Sequence, residues 1–141
     1  MAARPLTQAE VRQFMAGIAR AAQARDVERL GAAVADDCRI ELETRIGGAR
    51  HVSVLDRAEY LAQLRGGAAA LGDLESYTYV VDDQQVTLTP GAAAATVVSH
   101  VTETAVFGGV HQVTHSVETA RVERRPGGLR LVAVTALTAG R

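Results

Sequence analysis

The chain contains no lysine: all 15 of its basic residues are arginine. Schiff-base chemistry and the phosphate-binding lysine of P-loop enzymes are excluded at once. Cysteine is almost as scarce. Cys38 stands alone, so no internal disulfide and no thiolate zinc cage can form, and buried filler is expected of it rather than a nucleophile. Long apolar runs are absent too. Nothing approaches the roughly 20 residues of a membrane span, and the segment Met1–Leu6 has neither the apolar core nor the cleavage pattern of a secretory signal. A cytoplasmic location and no membrane partner are expected. Charge of one sign is lacking as well: 15 basic against 16 acidic residues leave a net charge of -1, so no global field draws the protein to nucleic acid. No Ser-His-Asp order, Gly-rich phosphate loop or metalloprotease helix is present, and neither a cofactor nor a bound metal is expected.

What is present is strand-forming sequence organised around one turn. Ala93–Phe107 and Val110–Glu123 are rich in Val and Thr and are joined by Gly108-Gly109, the chemistry of a long β-hairpin. If Phe107 pairs with Val110, then Glu103 faces Thr114, Val101 faces Ser116 and Ser99 faces Glu118, all on one side. The other side carries His100, Thr102, Thr104, Val106, His111, Val113, His115 and Val117. Both faces mix apolar with hydrogen-bonding residues, so neither is a simple water face.

The remainder reads in order. Thr7 and Glu10 form a capping box that starts a helix running to about Ala24, with Val11, Phe14, Met15 and Ile18 on its apolar side. Asp26 caps a shorter helix expected to end near Asp36-Asp37. Arg39–Ile46 and Ala49–Leu55 make a first hairpin through Gly47-Gly48. Asp56 caps a third helix, with Tyr60, Leu61 and Leu64 inward, expected to stop at Gly66-Gly67, after which Ala68–Gly72 is a loop or a helical extension. Leu74–Val81 is a strand, Asp82–Gln85 a turn or bulge, Val86–Thr89 a further strand, and Leu129–Leu137 the last strand. Helices ahead of an antiparallel meander, without βαβ alternation, indicate an α+β fold. At 141 residues a single domain, 1–141, is expected.

The two N-terminal helices, the turn at Arg25-Asp26-Val27, Ala35–Ile40 at the start of the first strand, the helix opening at Asp56–Tyr60 and the closing strands around Pro126-Gly127-Gly128 resemble the NTF2-like, or SnoaL-like, superfamily. The resemblance covers nearly the whole chain. It implies a curved, mostly antiparallel sheet wrapped on three helices as a cone, with a pocket on the concave face and a homodimer formed through the convex one. Aligned to the ketosteroid isomerases of that superfamily, Glu118 falls where those enzymes keep a protonated acid, whereas the catalytic Asp and Tyr positions are occupied by Leu42 and Ile18. Steroid isomerisation by that constellation is therefore not expected.

The same alignment places Ser99, Val101, Glu103, Thr114, Ser116 and Glu118 toward the pocket, with Phe14, Ile18, Tyr60 and Tyr77 completing its lining. A carboxyl group in an apolar cone resists ionisation, which suits acid/base work near neutral pH, and Glu118 is the candidate. Ser99, directly opposite, is placed to orient it. The alternative is an arginine partner, or a place at the solvated mouth, for Glu118 or Glu103. Tyr77 and Tyr79 share a direction, and packing with the hydroxyls at the rim is the expectation, a ligand contact the alternative. His100, Thr102, His111, Val113 and His115 are expected in the homodimer interface. A three-His metal site is not, because His111 and His115 are about 13 Å apart along one strand and could not meet at roughly 2 Å from an ion. A register slip of one residue would send the histidines into the pocket and make His100 or His115 the base. Two functions follow: a small-molecule binder with cofactor-free isomerase, dehydratase or cyclase chemistry on a largely apolar, polyketide- or steroid-like substrate, or a non-catalytic dimeric ligand-binding or assembly module.

Overall fold

Helix formation begins at Thr7, whose hydroxyl accepts the Glu10 amide at 3.1 Å. The computed structural model of the chain describes residues 4–70 and 74–140. Only half of the capping box closes at this first helix, α1 (Gln8–Gln23). The Glu10 carboxylate turns to the guanidinium groups of Arg124, at 3.0 Å, and Arg4, at 3.1 Å. The Arg124 bond, followed by the attraction of both arginines, holds its carboxyl below the usual range. The reciprocal box forms instead at α3 (Arg57–Ala70), where the Glu59 amide donates to Asp56 and the Asp56 amide to Glu59.

Helix α2 (Val27–Ala33) is capped by Asp26 and is shorter than its sequence suggested. Strand β1 (Val34–Ile46) starts at once, with a bulge between Val34 and Arg39, so Asp36 and Asp37 lie on a strand rather than at a helix end. The reason is burial: Val34, Ala35 and Cys38 all enter the core, while the two aspartates stay in water and Asp37 meets Arg125. The expected stop at Gly66-Gly67 is likewise passed. Glycine costs a helix about 1 kcal/mol per residue, and α3 continues through both because Tyr60 and Leu61 anchor it on the core. Ala68–Ala70 are helical extension; Leu71 and Gly72 of that segment lie outside the described residues.

Strand β2 (Ala49–Leu55) returns along β1 through Gly47 and Gly48, both at positive φ, as are Gly108 and Gly109 in the later hairpin. Such turns match the twist of the strands they join. Strand β3 (Leu74–Leu88) runs straight through the expected turn at Asp82–Gln85, which is a bulge between Val81 and Asp83. A bulge relieves the mismatch of an Asp pair in a strand without ending the pairing. A single 3-10 turn, Pro90–Ala92, leads to β4 (Ala94–Phe107), β5 (Val110–Arg125) and β6 (Gly128–Gly140).

The six strands form one open, curved sheet in the order β2-β1-β6-β5-β4-β3, antiparallel throughout except for the parallel β1–β6 pair. The long hairpin has the register expected of it: Phe107 pairs with Val110, Glu103 with Thr114, Val101 with Ser116 and Ser99 with Glu118. The core lies between the inner face of the sheet and the helices, around Val11, Ile40, Val97 and Val122.

Two side chains tie the helices down. The Gln23 amide spans the backbone of edge strand β3, donating to the Tyr77 carbonyl at 2.6 Å and accepting the Tyr79 amide at 2.7 Å. Arg57, at the start of α3, donates to the carbonyls of Gly31 and Val34 at the end of α2.

Candidate functional site

Between the inner face of the sheet and all three helices lies a cavity of about 500 Å³. Its walls are mostly apolar, supplied by Met15 and Ile18 of α1, Leu30 of α2, Leu64 of α3, Leu42 of β1 and Val134 of β6. The charged residues lining it are Glu103, Glu118 and Arg25.

The two carboxylates are held by tyrosines. Tyr77 and Tyr79 are two residues apart on β3 and so project from the same face. A tyrosine side chain outreaches the strand spacing of about 4.8 Å, and each phenol passes beyond its own backbone partner. The Tyr77 hydroxyl donates to Glu103 at 2.7 Å; the Tyr79 hydroxyl spans β4 and donates to both oxygens of Glu118, at 3.0 and 3.2 Å. No arginine lies within ion-pair distance of either carboxylate among the described residues. Burial in the apolar cavity pushes the Glu118 carboxyl above its usual range; the Tyr79 bond pulls the other way, and repulsion from Glu103 adds to the rise. Burial, with the adjacent carboxylates, also raises both phenols, so Tyr77 and Tyr79 remain protonated donors. Tyr60 is pushed up to about 12, first by burial and then by Glu118 and Glu103. Among the described residues its hydroxyl has no hydrogen-bond partner, which leaves it open to a guest in the cavity.

The structure brings Glu103, Glu118, Ser99, Ser116, Ile18, Tyr60 and Tyr77 into this one cavity. It does not bring Val101, Thr114 or Phe14 to its surface. Val101 is fully covered beneath the side chains around it. Thr114 lies nearer the hairpin turn, packing its methyl group by Gly140. Phe14, one turn before Ile18 on the same stripe, packs on the core and lines a surface groove beside Arg124 instead. The Ser99 hydroxyl does not orient Glu118 but accepts from Gln84 at 3.1 Å, and Ser116 bonds Thr138 at 2.9 Å. Tyr79 is the residue missed. Its signal was the Tyr-x-Tyr spacing itself, which places two phenols side by side, and the rim position expected of those hydroxyls gives way to bonds inside the cavity.

The histidines occupy the opposite face. His100, His111 and His115 are exposed, and His115 Nδ1 lies 3.2 Å from Thr102, whose hydroxyl donates to Asp82. No group of three or more His, Cys, Asp or Glu able to hold a metal ion occurs among the described residues. Cys38 is buried, and burial lifts its thiol to about 11, where it is no nucleophile at neutral pH. No helix among the described residues is long and apolar enough to cross a membrane.

A family model, the SnoaL-like domain, matches residues 4–135. The chain belongs to the SnoaL-like family. No curated protein sequence matches this SnoaL-like chain significantly. Among solved structures it is similar to a scytalone dehydratase candidate from Novosphingobium aromaticivorans, at 13% identity over 92% of this chain and 82% of that one, with a TM-score of 0.71. It is also similar to the hexachlorocyclohexane dehydrochlorinase LinA, at 14% identity over 93% and 84%, with a TM-score of 0.68. A third is an NTF2-like protein of cystatin-like fold from Novosphingobium aromaticivorans, at 20% identity over 92% and 80%, also with a TM-score of 0.68. Identities this low establish the fold of this SnoaL-like protein, the NTF2-like α+β cone, and leave its chemistry to be argued from the cavity.

Proposed function

We propose that this SnoaL-like protein binds a small, largely apolar organic molecule and moves a proton on it without a cofactor, with Glu118 as the acid/base group. One observation carries the reading: a carboxyl group in an apolar cavity, with no cationic partner among the described residues and held by a neutral phenol, resists ionisation and is oriented by Tyr79. Once ionised, such a carboxylate is a stronger base than one in water. Glu118 takes a proton from a carbon beside a carbonyl; the C–H electron pair moves into the substrate, and the open phenol of Tyr60 donates to the oxygen where charge collects. Return of that proton at another carbon gives isomerisation. Departure of hydroxide, which leaves as water with the same proton, gives dehydration. Two proteins sharing the fold are named for eliminations, of water and of hydrogen chloride, and this reaction type is consistent with a buried carboxyl group in a mostly apolar cavity.

The test is the base-promoted ring opening of 5-nitrobenzisoxazole, an apolar carbon acid small enough for the cavity. Only ionised Glu118 accepts the proton, so the rate rises with pH through its ionisation, and the half-maximal pH lies above the ordinary value of 4.5. No acceleration over buffer, or a midpoint at the ordinary value, sinks the reading.

The convex face belongs to the same proposal. Val80, Val113, Val117 and Leu137 are exposed there, between His100, Thr102, His111 and His115. An apolar patch rimmed by polar residues suits a second copy of the chain. The expectation is a homodimer by sedimentation velocity, and a monomer on Val117→Arg; a monomeric parent or a dimeric variant removes this interface.

A further inference from the structure

We propose that Arg25 is an anion anchor at the mouth of the cavity, and that the molecule bound there is an organic acid: an apolar body inside and a carboxylate, or a group of the same charge, at the opening. This rests on the cavity being a small-molecule site. Three observations place the guanidinium for that work. Arg25 ends the turn after α1 at a φ of +52°, closed by its amide on the Ala22 carbonyl at 3.0 Å and by the Asp26 amide on the Ala21 carbonyl at 2.8 Å. Helices commonly use glycine at such a position, since a side chain there strains the backbone. Here the chain keeps an arginine.

The position is also fixed from outside. Gln23, two residues earlier, is bonded to the backbone of Tyr77 and Tyr79 on the edge strand, so the end of α1 cannot swing away from the opening. The Arg25 charge accordingly reaches the Tyr77 phenol, and its side chain lines the cavity while remaining exposed to water. Finally, the guanidinium has no hydrogen bond or ion pair with any described residue; Arg12, Arg20, Arg29 and Arg39 have none either, but Arg25 is the arginine that lines this cavity among the described residues.

The cavity is therefore polarised along its length. The Arg25 cation is exposed to water, whereas the Glu118 carboxyl is buried among the apolar walls. An amphiphilic acid enters in one orientation only, its carboxylate repelled from the interior and held at Arg25, its carbon skeleton delivered to Glu118. A long-range charge at an exposed site gives modest affinity but a definite orientation.

The experiment compares 2-naphthoate with its neutral isostere 2-naphthamide by calorimetry, on the parent protein and on Arg25→Gln and Arg25→Gly. The parent is expected to bind the acid about fivefold more tightly than the amide, and the margin shrinks with added salt. Both variants lose that margin while binding the amide as before. Arg25→Gly, relieved of backbone strain, also unfolds at a higher urea midpoint than the parent, which separates lost charge from lost fold. Equal binding of the two probes by the parent, or a margin that survives Arg25→Gln, overturns the anchor and leaves the cavity reading standing. Binding of neither probe overturns both.

Discussion

Glu118→Gln is expected to remove about a 10²- to 10⁴-fold share of the proton-transfer rate, about 3–5 kcal/mol of the barrier, while leaving ligand affinity nearly unchanged. The substitution keeps the shape of the side chain, and its amide oxygen can still accept from Tyr79, so the cavity walls remain in place. What it removes is the ability to take and return a proton. The expected signature is thus a fall in kcat with KM preserved. Tyr79→Phe gives the complementary result. The phenol bond stabilises the ionised form of Glu118, and without it the carboxyl ionises at still higher pH, so the midpoint of the pH–rate profile moves upward. A Glu118→Gln protein with full turnover would transfer the role to Glu103, the other carboxyl group lining the cavity.

Arg57→Ala should destabilise the fold by about 2 kcal/mol, in the range of hydrogen bonds made by a charged donor. Helix α2 has only seven residues and no basic residue in its last turn. A helix that short does not persist alone, and the free carbonyls at its end attract a cation. Arg57 supplies that cation from α3: Nη2 donates to Gly31 at 2.9 Å, and Nε to Gly31 and Val34 at 3.2 Å each. Leu61 packs so closely on Gly31 that a Cβ there would sit 3.2 Å from its methyl group. The two helices are thus clasped, and α2 carries Val27 and Leu30 of the cavity wall. Urea unfolding of Arg57→Ala should show the loss, with faster amide exchange confined to α2 before global unfolding. Arg57→Lys, which cannot form the forked bond, should recover only part of it. An unchanged midpoint in both variants would mean that packing alone holds α2.

The long hairpin was legible from sequence because its register is set locally. Gly108-Gly109 admits one tight turn, and once Phe107 faces Val110 every later pair follows, down to Ser99 and Glu118. The faces were legible only through the family resemblance, since Thr and Val occur on both. The bonds made inside the cavity were not. Tyr79 reaches Glu118 across an intervening strand, a contact that depends on sheet curvature and not on spacing along the chain. Gln84 meets Ser99 because the bulge at Asp82 shifts the face it presents; a sequence that reads there as a turn conceals that the strand goes on. Phe14 and Ile18 share a helical stripe, yet only Ile18 reaches the cavity, because the stripe is wider than the opening it covers. Arg25 gave no sequence signal, since an arginine after a helix is ordinary until its φ is known.

The parallel pairing of β1 with β6 also sets the order in which the molecule can be completed. Leu42 lies beside Ala136, and Glu118 beside the same alanine on the other side, so the last strand is the seam between the first hairpin and the rest of the sheet. The meander from β3 to β5 can zip through neighbouring turns, but the first hairpin has no strand to join until β6 has been made. Contacts so distant in sequence close slowly. The Glu118 carboxyl would then spend that interval on a half-built sheet, open to water, and acquire its raised proton affinity, which comes first from burial, only when β6 docks.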